Sequence, residues 1–124
     1  GAEDVALLAT FPGDDGRLVG AVGERGYSGL VVEALGGGHV PPPMVEPLAA
    51  LAKRMPVVLA SRTGSGEVLR GTYDPPGSEM DLTGRGLIPA GMLDGPKARL
   101  FLALLLRSGA SRAEIVEAFG HPYV

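Results

Sequence analysis

The chain has 124 residues, 45% of them hydrophobic and 20% charged, with a formal net charge of −3 and no cysteine. That length and balance support one globular domain with its own core, and the lack of cysteine excludes disulfides and thiolate zinc sites and suits the cytoplasm. Mild acidity with only three phenylalanines and three tyrosines excludes a basic, stacking nucleic-acid face, and no apolar run approaches the ~20 residues a membrane helix needs.

Val5 to Thr10 reads as a first strand and Phe11-Pro12-Gly13 as a turn. Asp14 or Asp15 is placed to cap a short helix, because a carboxylate there accepts from orphan backbone N–H groups. Leu18, Val19 and Val22 give that helix an apolar face, and Gly26 stops it. Leu30 to Leu35 is a second strand; so short a crossover makes it parallel to the first. Three glycines, Gly36, Gly37 and Gly38, and then His39 follow its end.

Pro41 to Pro43 lead into a second helix in which Val45, Leu48, Leu51, Ala52 and Met55 recur at helical spacing. Pro47 falls in or near its first turn, where the missing N–H costs least. Lys53 and Arg54 fall in its last turn, at the negative end of the dipole, and Pro56 ends it. Val57 to Ala60 is a third strand. From Ser61 to Gly86 periodicity is lost; a loop this long is usually functional or disordered, with Val68 and Leu69 as a candidate short strand or bridge within it.

Leu87 to Ala90 is a fourth strand, confined to an edge or a strand end by Pro89. Asp94 caps the next helix, with Pro96 in its first turn. Ala98 and Leu100 to Leu106 make that helix apolar on nearly every side, so part of it should pack against another element or chain. Gly109 ends it. Ser111-Arg112-Ala113-Glu114 is a capping box opening a final helix with Ile115, Val116 and Phe119 as contacts, closed by Gly120 and Pro122. This alternation is the signature of a single α/β domain over residues 1–124: a three-layer α/β/α, flavodoxin- or Rossmann-like arrangement of about four parallel strands.

In such a sheet ligands bind at the carboxyl ends of strands, so the turn Gly36-Gly37-Gly38-His39 is the first candidate site. Glycines there permit positive φ and close backbone approach. A phosphate loop does not fit: the prolines after Val40 have no N–H to give, and neither the third glycine of a dinucleotide fingerprint nor a Gly-Lys-Ser/Thr end is present. A tight packing turn and a substrate-facing turn stay equally open. His39 can hydrogen-bond a ligand; a solvated loop histidine accounts for its position as well. No second histidine or carboxylate sits at ligand spacing, so no metal is expected. Ser61 lacks the Gly-X-Ser-X-Gly frame of a nucleophile. Ser61 and Arg62 are instead expected to order the loop, hydroxyl to backbone and guanidinium to a carboxylate. Glu67, Asp74, Glu79 and Asp81 are by default solvated charges. No nucleophile–base pair emerges.

Gly26-Tyr27-Ser28-Gly29-Leu30-Val31-Val32, followed by Gly36-Gly37-Gly38-His39, resembles the second half of the bacterial L-asparaginases. There a strand ends in a Gly-X-Gly-Asn turn, so His39 replaces the usual asparagine. Three more marks follow in order. Pro56 to Arg62 resembles the family's strand ending in Ser-Ser-Arg or Ser-Ser-Gln, and Gly66-Glu67-Val68 its following Gly-X-Val. Leu87-Ile88, with Gly91 and Lys97-Ala98-Arg99, resembles the approach to its long leucine-rich helix. The likeness spans Val5 to about Ala118, and related glutaminases and an asparaginase-like amidotransferase component share parts of it.

The resemblance implies the family's smaller C-terminal domain, four parallel strands between helices. Family members hydrolyse the amide of L-asparagine to L-aspartate and ammonia through a threonine nucleophile and a threonine–lysine–aspartate set. Those residues belong to the N-terminal domain, whose Thr-Gly-Gly-Thr and Asp-Gly-Thr-Asp motifs do not occur here. No catalytic residue is therefore assigned to this chain, and no cofactor is implied. In the family the C-terminal domain reaches a neighbouring subunit's active site with the turn asparagine and, in some members, a later glutamate. By position these are His39 and Glu79, with Gly36, Gly37 and Gly38 as substrate-proximal backbone. The implied partners are an asparaginase N-terminal domain and further copies in a dimer or tetramer, without nucleic acid or membrane. The abrupt start at a strand suits a domain excised from a longer protein. The competing reading is a stand-alone flavodoxin-like small-molecule binding or assembly module. Thr10-Phe11-Pro12 lacks the acid cluster of a response regulator, and Phe11 to Asp15 lacks a flavin phosphate loop.

Overall fold

A computed structural model gives the fold and describes residue 1, residues 3–61 and residues 76–121. Four parallel strands, β1 (Val5–Ala9), β2 (Gly29–Ala34), β3 (Val57–Ser61) and β4 (Ile88–Pro89), lie side by side in chain order. A sheet that grows in one direction through right-handed crossovers must place every connecting helix on one face. So α1 (Arg17–Glu24), α2 (Val45–Ala52) and α3 (Glu79–Gly84) share a face. The other face falls to α4 (Gly95–Arg107) and α5 (Arg112–Phe119), which follow the last strand. The three-layer parallel α/β domain is as the alternation of elements predicts.

Side-chain alternation along the strands feeds both layers. Leu30, Val32, Ala34, Val57 and Leu59 pack towards α1 and α2, while Val31, Val58 and Ala60 pack towards α4 and α5. The two central strands are consequently apolar at nearly every position, as expected for parallel strands covered on both faces. α4, by contrast, is covered on one side only. Ala98 and Leu102 are buried and Leu105 and Leu106 partly so, yet Leu100 and Leu104 stay exposed. Phe101 meets Phe119 of α5 edge-to-face at 5.0 Å.

Several boundaries differ from the sequence reading, each for a local reason. Neither Asp14 nor Asp15 occupies the N-cap of α1; Gly16 does, at φ +79° with no side-chain cap. The carboxylates close the preceding turn instead, Asp14 Oδ1 accepting from Gly16 N at 2.9 Å and Asp15 Oδ1 from Arg17 N at 3.1 Å. A 3-10 turn (Pro42–Met44) absorbs the prolines before α2, and that helix stops at Ala52, so Lys53 and Arg54 lie past its last turn. Within the stretch expected to be a loop, α3 forms, with Ser78 Oγ accepting from Asp81 N. The fourth strand has two residues only. Asp94 and the Ser111/Glu114 capping box start α4 and α5 as predicted, but Val116 is 48% exposed rather than a core contact. Val68 and Leu69 lie outside the described residues.

Candidate functional site

The turn after β2 is a closed loop. Leu35 and His39 form an isolated antiparallel bridge. Leu35 N donates to His39 O at 2.8 Å, and the amides of Gly38 and His39 both donate to Leu35 O, at 2.9 and 3.0 Å. Closing so tight a loop demands positive φ at Gly36 (+47°) and Gly38 (+114°), which only glycine adopts without strain. His39 is exposed, and its ring stands over Gly36, where a Cβ would lie 3.3 Å from His39 Cε1. Gly37 lies half-buried between them.

The start of α3 is tied to this turn through the backbone. Val40 N donates to Gly77 O at 2.9 Å. Gly77 N in turn donates to Asp81 Oδ2 at 3.0 Å, and Arg85 Nε to Asp81 Oδ1 at 2.9 Å. Arg85 reaches on to Glu46 Oε1 at 2.9 Å. Burial works to raise the Asp81 carboxyl's pKa, but the Gly77 amide and the Arg85 guanidinium outweigh it and hold that carboxyl below the usual range. Glu79, the first residue of α3, is buried, its Oε1 accepting from Thr83 Oγ1 at 3.2 Å.

These pieces wall a cleft of about 290 Å³ at the carboxyl ends of β1 and β2, with Pro12 and Gly13 on one side, His39 and Pro41 on another and Pro76 to Ser78 on a third. Two larger clefts, about 430 Å³ beside β1 and about 370 Å³ beside β4, contain neither His39 nor Glu79. Position at the ends of the strands, not volume, singles out the smaller one.

Of the residues singled out in the sequence, Gly36 to His39 thus lie together, with Ser78 between the cleft and Glu79. Ser61 ends β3, buried beneath the glycine turn, with its Oγ 3.4 Å from Gly36 O, long for a hydroxyl hydrogen bond. Arg62, Gly66, Glu67 and Asp74 lie outside the described residues. Sequence reading passed over Thr10. It is buried at the end of β1, its Oγ1 3.2 Å from Asp14 Oδ2 and 2.9 Å from Met44 Sδ, and its one proton serves one of them at a time. The signal available was a lone hydroxyl at the carboxyl end of an apolar strand.

Chemically the cleft can recognise: it offers an imidazole and a rigid backbone turn. Among the described residues, Thr10 Oγ1 meets the Asp14 carboxylate and Thr83 Oγ1 that of Glu79. Thr10 is 1% exposed and out of reach of a substrate, and the Thr83 contact is a one-turn pair along α3. Among the described residues no group of three His, Asp or Glu side chains is arranged to hold a metal ion.

Residues 4–119 match the family of the glutaminase/asparaginase C-terminal domain. A probable L-asparaginase of Deinococcus radiodurans is 42% identical over 93% of this chain and 34% of its own length. An L-asparaginase of Bacillus licheniformis is 36% identical over 84% of the chain and 32% of its own. A glutamyl-tRNA(Gln) amidotransferase subunit of Methanobrevibacter smithii is 37% identical over 75% of the chain and 20% of its own. The chain spans about a third of the length of the asparaginases it matches. With nearly every residue from Asp4 to Phe119 inside the match, and the strand–turn–helix order described above beneath it, the chain belongs to the glutaminase/asparaginase C-terminal domain family.

Proposed function

We propose that this domain is the substrate-completing and assembly domain of an L-asparaginase-like amidohydrolase. Bond cleavage of L-asparagine, to L-aspartate and ammonia, is carried out by an N-terminal domain. The present domain supplies one wall of a partner's pocket within a dimer or tetramer in the cytoplasm. The observation that carries the reading is the backbone junction of Val40 with Gly77. It fuses the glycine turn and the start of α3 into one rigid wall at the carboxyl ends of the strands. His39 presents the ring that reaches substrate, and Glu79 stands behind it at the helix start.

Two measurements test this. The purified chain supplied with L-asparagine should release no ammonia. Grafted in place of the matching third of the Deinococcus radiodurans relative, it should give an amidase in which His39→Ala lowers kcat/KM on the order of tenfold or more, the loss of a hydrogen bond to a charged substrate group, with Tm unchanged. Ammonia from the chain alone, or a graft indifferent to both His39→Ala and Glu79→Gln, refutes the reading.

A further inference from the structure

We propose that Asp81 is a positioning residue for His39: by gripping the amide of Gly77 it fixes the backbone from which the glycine turn is hung. The inference rests on the proposed function in taking His39 as the ring that meets substrate; the hold on the turn is measured apart from any reaction.

The turn's own bonds do not complete that placement. Leu35 N donates to His39 O and His39 N to Leu35 O, so these bonds close the loop upon the end of β2. The bond from Val40 N to Gly77 O at 2.9 Å carries the chain across to the start of α3, one residue after His39. Where Gly77 stands therefore decides where the far limb of the turn stands. Gly77 is buried and hemmed in on one side, since a Cβ there would run into Val40 O. Its N–H donates to Asp81 Oδ2 at 3.0 Å. The residue is thus held at both ends, by Val40 through its carbonyl and by Asp81 through its amide.

This grip differs from the capping at α5. There the third helical residue, Glu114, accepts from Ser111 N at 2.8 Å, so carboxylate and cap residue satisfy one another. At α3 the cap half is the same, Ser78 Oγ accepting from Asp81 N at 3.1 Å. The carboxylate half is not: Asp81 passes over the cap residue and takes the one before it. Its bond leaves the helix and ends on the residue that carries the Val40 junction.

Asp81 is itself held. Its other oxygen accepts from Arg85 Nε at 2.9 Å, and Arg85 Nη1 donates to Glu46 Oε1 of α2 at 2.9 Å. The carboxylate cannot turn towards solvent without giving up both partners. If it is removed, Gly77 N loses its acceptor while buried, which costs more than the bond contributed. Relief comes from moving residue 77 towards water, and Val40 and the turn move with it.

A wall displaced in this way weakens binding of substrate and transition state alike, so KM rises and kcat stays. Loss of folded enzyme does the reverse, lowering kcat at constant KM. In the graft, Asp81→Ala should raise KM for L-asparagine roughly three- to tenfold and add nothing further in a His39→Ala background. Asp81→Asn keeps an oxygen for Gly77 N. It should bring KM back to within about twofold of the parent graft, although it gives up the ion pair with Arg85.

In the 124-residue chain itself, hydrogen exchange reads the hold directly. The Val40 amide of Asp81→Ala should exchange on the order of tenfold faster than in wild type. The Leu35 amide and those of β3 should be unchanged, and Asp81→Asn should match wild type throughout. If Asp81→Ala fails to fold, Asp81→Glu replaces it. The longer side chain grips Ser78 N as Glu114 grips Ser111 N, which frees Gly77 N and speeds Val40 in the same way. A Val40 amide as slow in the variant as in wild type, a raised KM that Asp81→Asn does not recover, or an equal rise in KM with and without His39 overturns the inference. A graft indifferent to His39→Ala condemns the proposed function instead, and the Val40 amide still decides whether Asp81 holds the turn.

Discussion

The amide of Val40 donates to the carbonyl of Gly77 at 2.9 Å, and a Cβ on residue 77 would lie 2.3 Å from the carbonyl oxygen of Val40. The two backbones therefore meet at a spacing that only glycine at 77 allows, and Gly77 is also held at φ +88°. Gly77→Ala should combine a left-handed penalty of about 1–2 kcal/mol with a backbone clash that no rotamer relieves. Gly13 is the matched control: φ is +86°, but nothing lies within 4 Å of a Cβ there. Urea unfolding of the two variants separates the effects. Gly77→Ala should lose at least ~2 kcal/mol more than Gly13→Ala, and equal losses would show that the close approach does not exist.

Arg112, the first residue of α5, joins two other elements. Its Nη1 donates to Ala52 O at 2.8 Å, at the end of α2, and its Nη2 donates to Gly86 O at 2.9 Å, just past α3. A cation serving the carbonyl ends of helices gains from both the hydrogen bonds and the dipoles. The fork matters as much as the charge, because a lysine ammonium cannot span both oxygens in that geometry. Arg112→Met should cost about 2–3 kcal/mol and Arg112→Lys roughly half of that, read as thermal or urea midpoints. A lysine variant as stable as wild type would show that charge alone suffices.

How much of this could be read from the residues depended on the range of the interaction. Ser111 to Glu114 and Asp94 announced α5 and α4 because capping is settled within four residues. The layer order followed from short crossovers and the hand of the connections. By contrast α3 was missed, although Ser78 and Asp81 stand at capping spacing. It is six residues long and Leu82 is its only buried apolar residue, so there was no period to count. The glycine turn was visible as punctuation after an apolar run, but its junction with residue 77 was not. Two backbones distant in sequence met there, and no side-chain pattern records such a meeting. Asp14 and Asp15 misled for a related reason: the residue type suited a cap, while the turn geometry put Gly16 in that place.

Glu33 and Gly95 make a second close approach, on the α4 side. A Cβ at 95 would lie 2.5 Å from Glu33 Cγ and 2.6 Å from its Oε2. Gly95 is the first residue of α4, so the absent side chain lets a carboxylate rest against the positive end of that helix. Unlike Val40 O, a glutamate side chain can swing away. Gly95→Ala should therefore cost only about 1 kcal/mol, mainly by displacing Glu33. In the Glu33→Ala background the same substitution should cost nothing or stabilise slightly, because alanine is the better helix former. A double-mutant cycle measures the coupling, and additive effects would mean that the two residues do not touch.

Asp81 ties the start of α3 to acid stability. Its folded carboxyl lies below the ordinary range: burial pushes upward, and the Gly77 amide and Arg85 together outweigh it. A carboxyl whose folded pKa is depressed contributes stability that is complete above its unfolded value of about 3.9. That contribution disappears as pH falls through the folded value. Asp81→Asn keeps an oxygen able to accept from Gly77 N but removes the charge facing Arg85. The wild type should therefore exceed Asp81→Asn in unfolding free energy by a constant margin between roughly pH 5 and 7, and the margin should shrink below about pH 4. The sign is decisive: a margin that widened on acidification would require a raised carboxyl. A margin independent of pH down to about 2 would mean that Arg85 and the Gly77 amide do not act on Asp81 in solution.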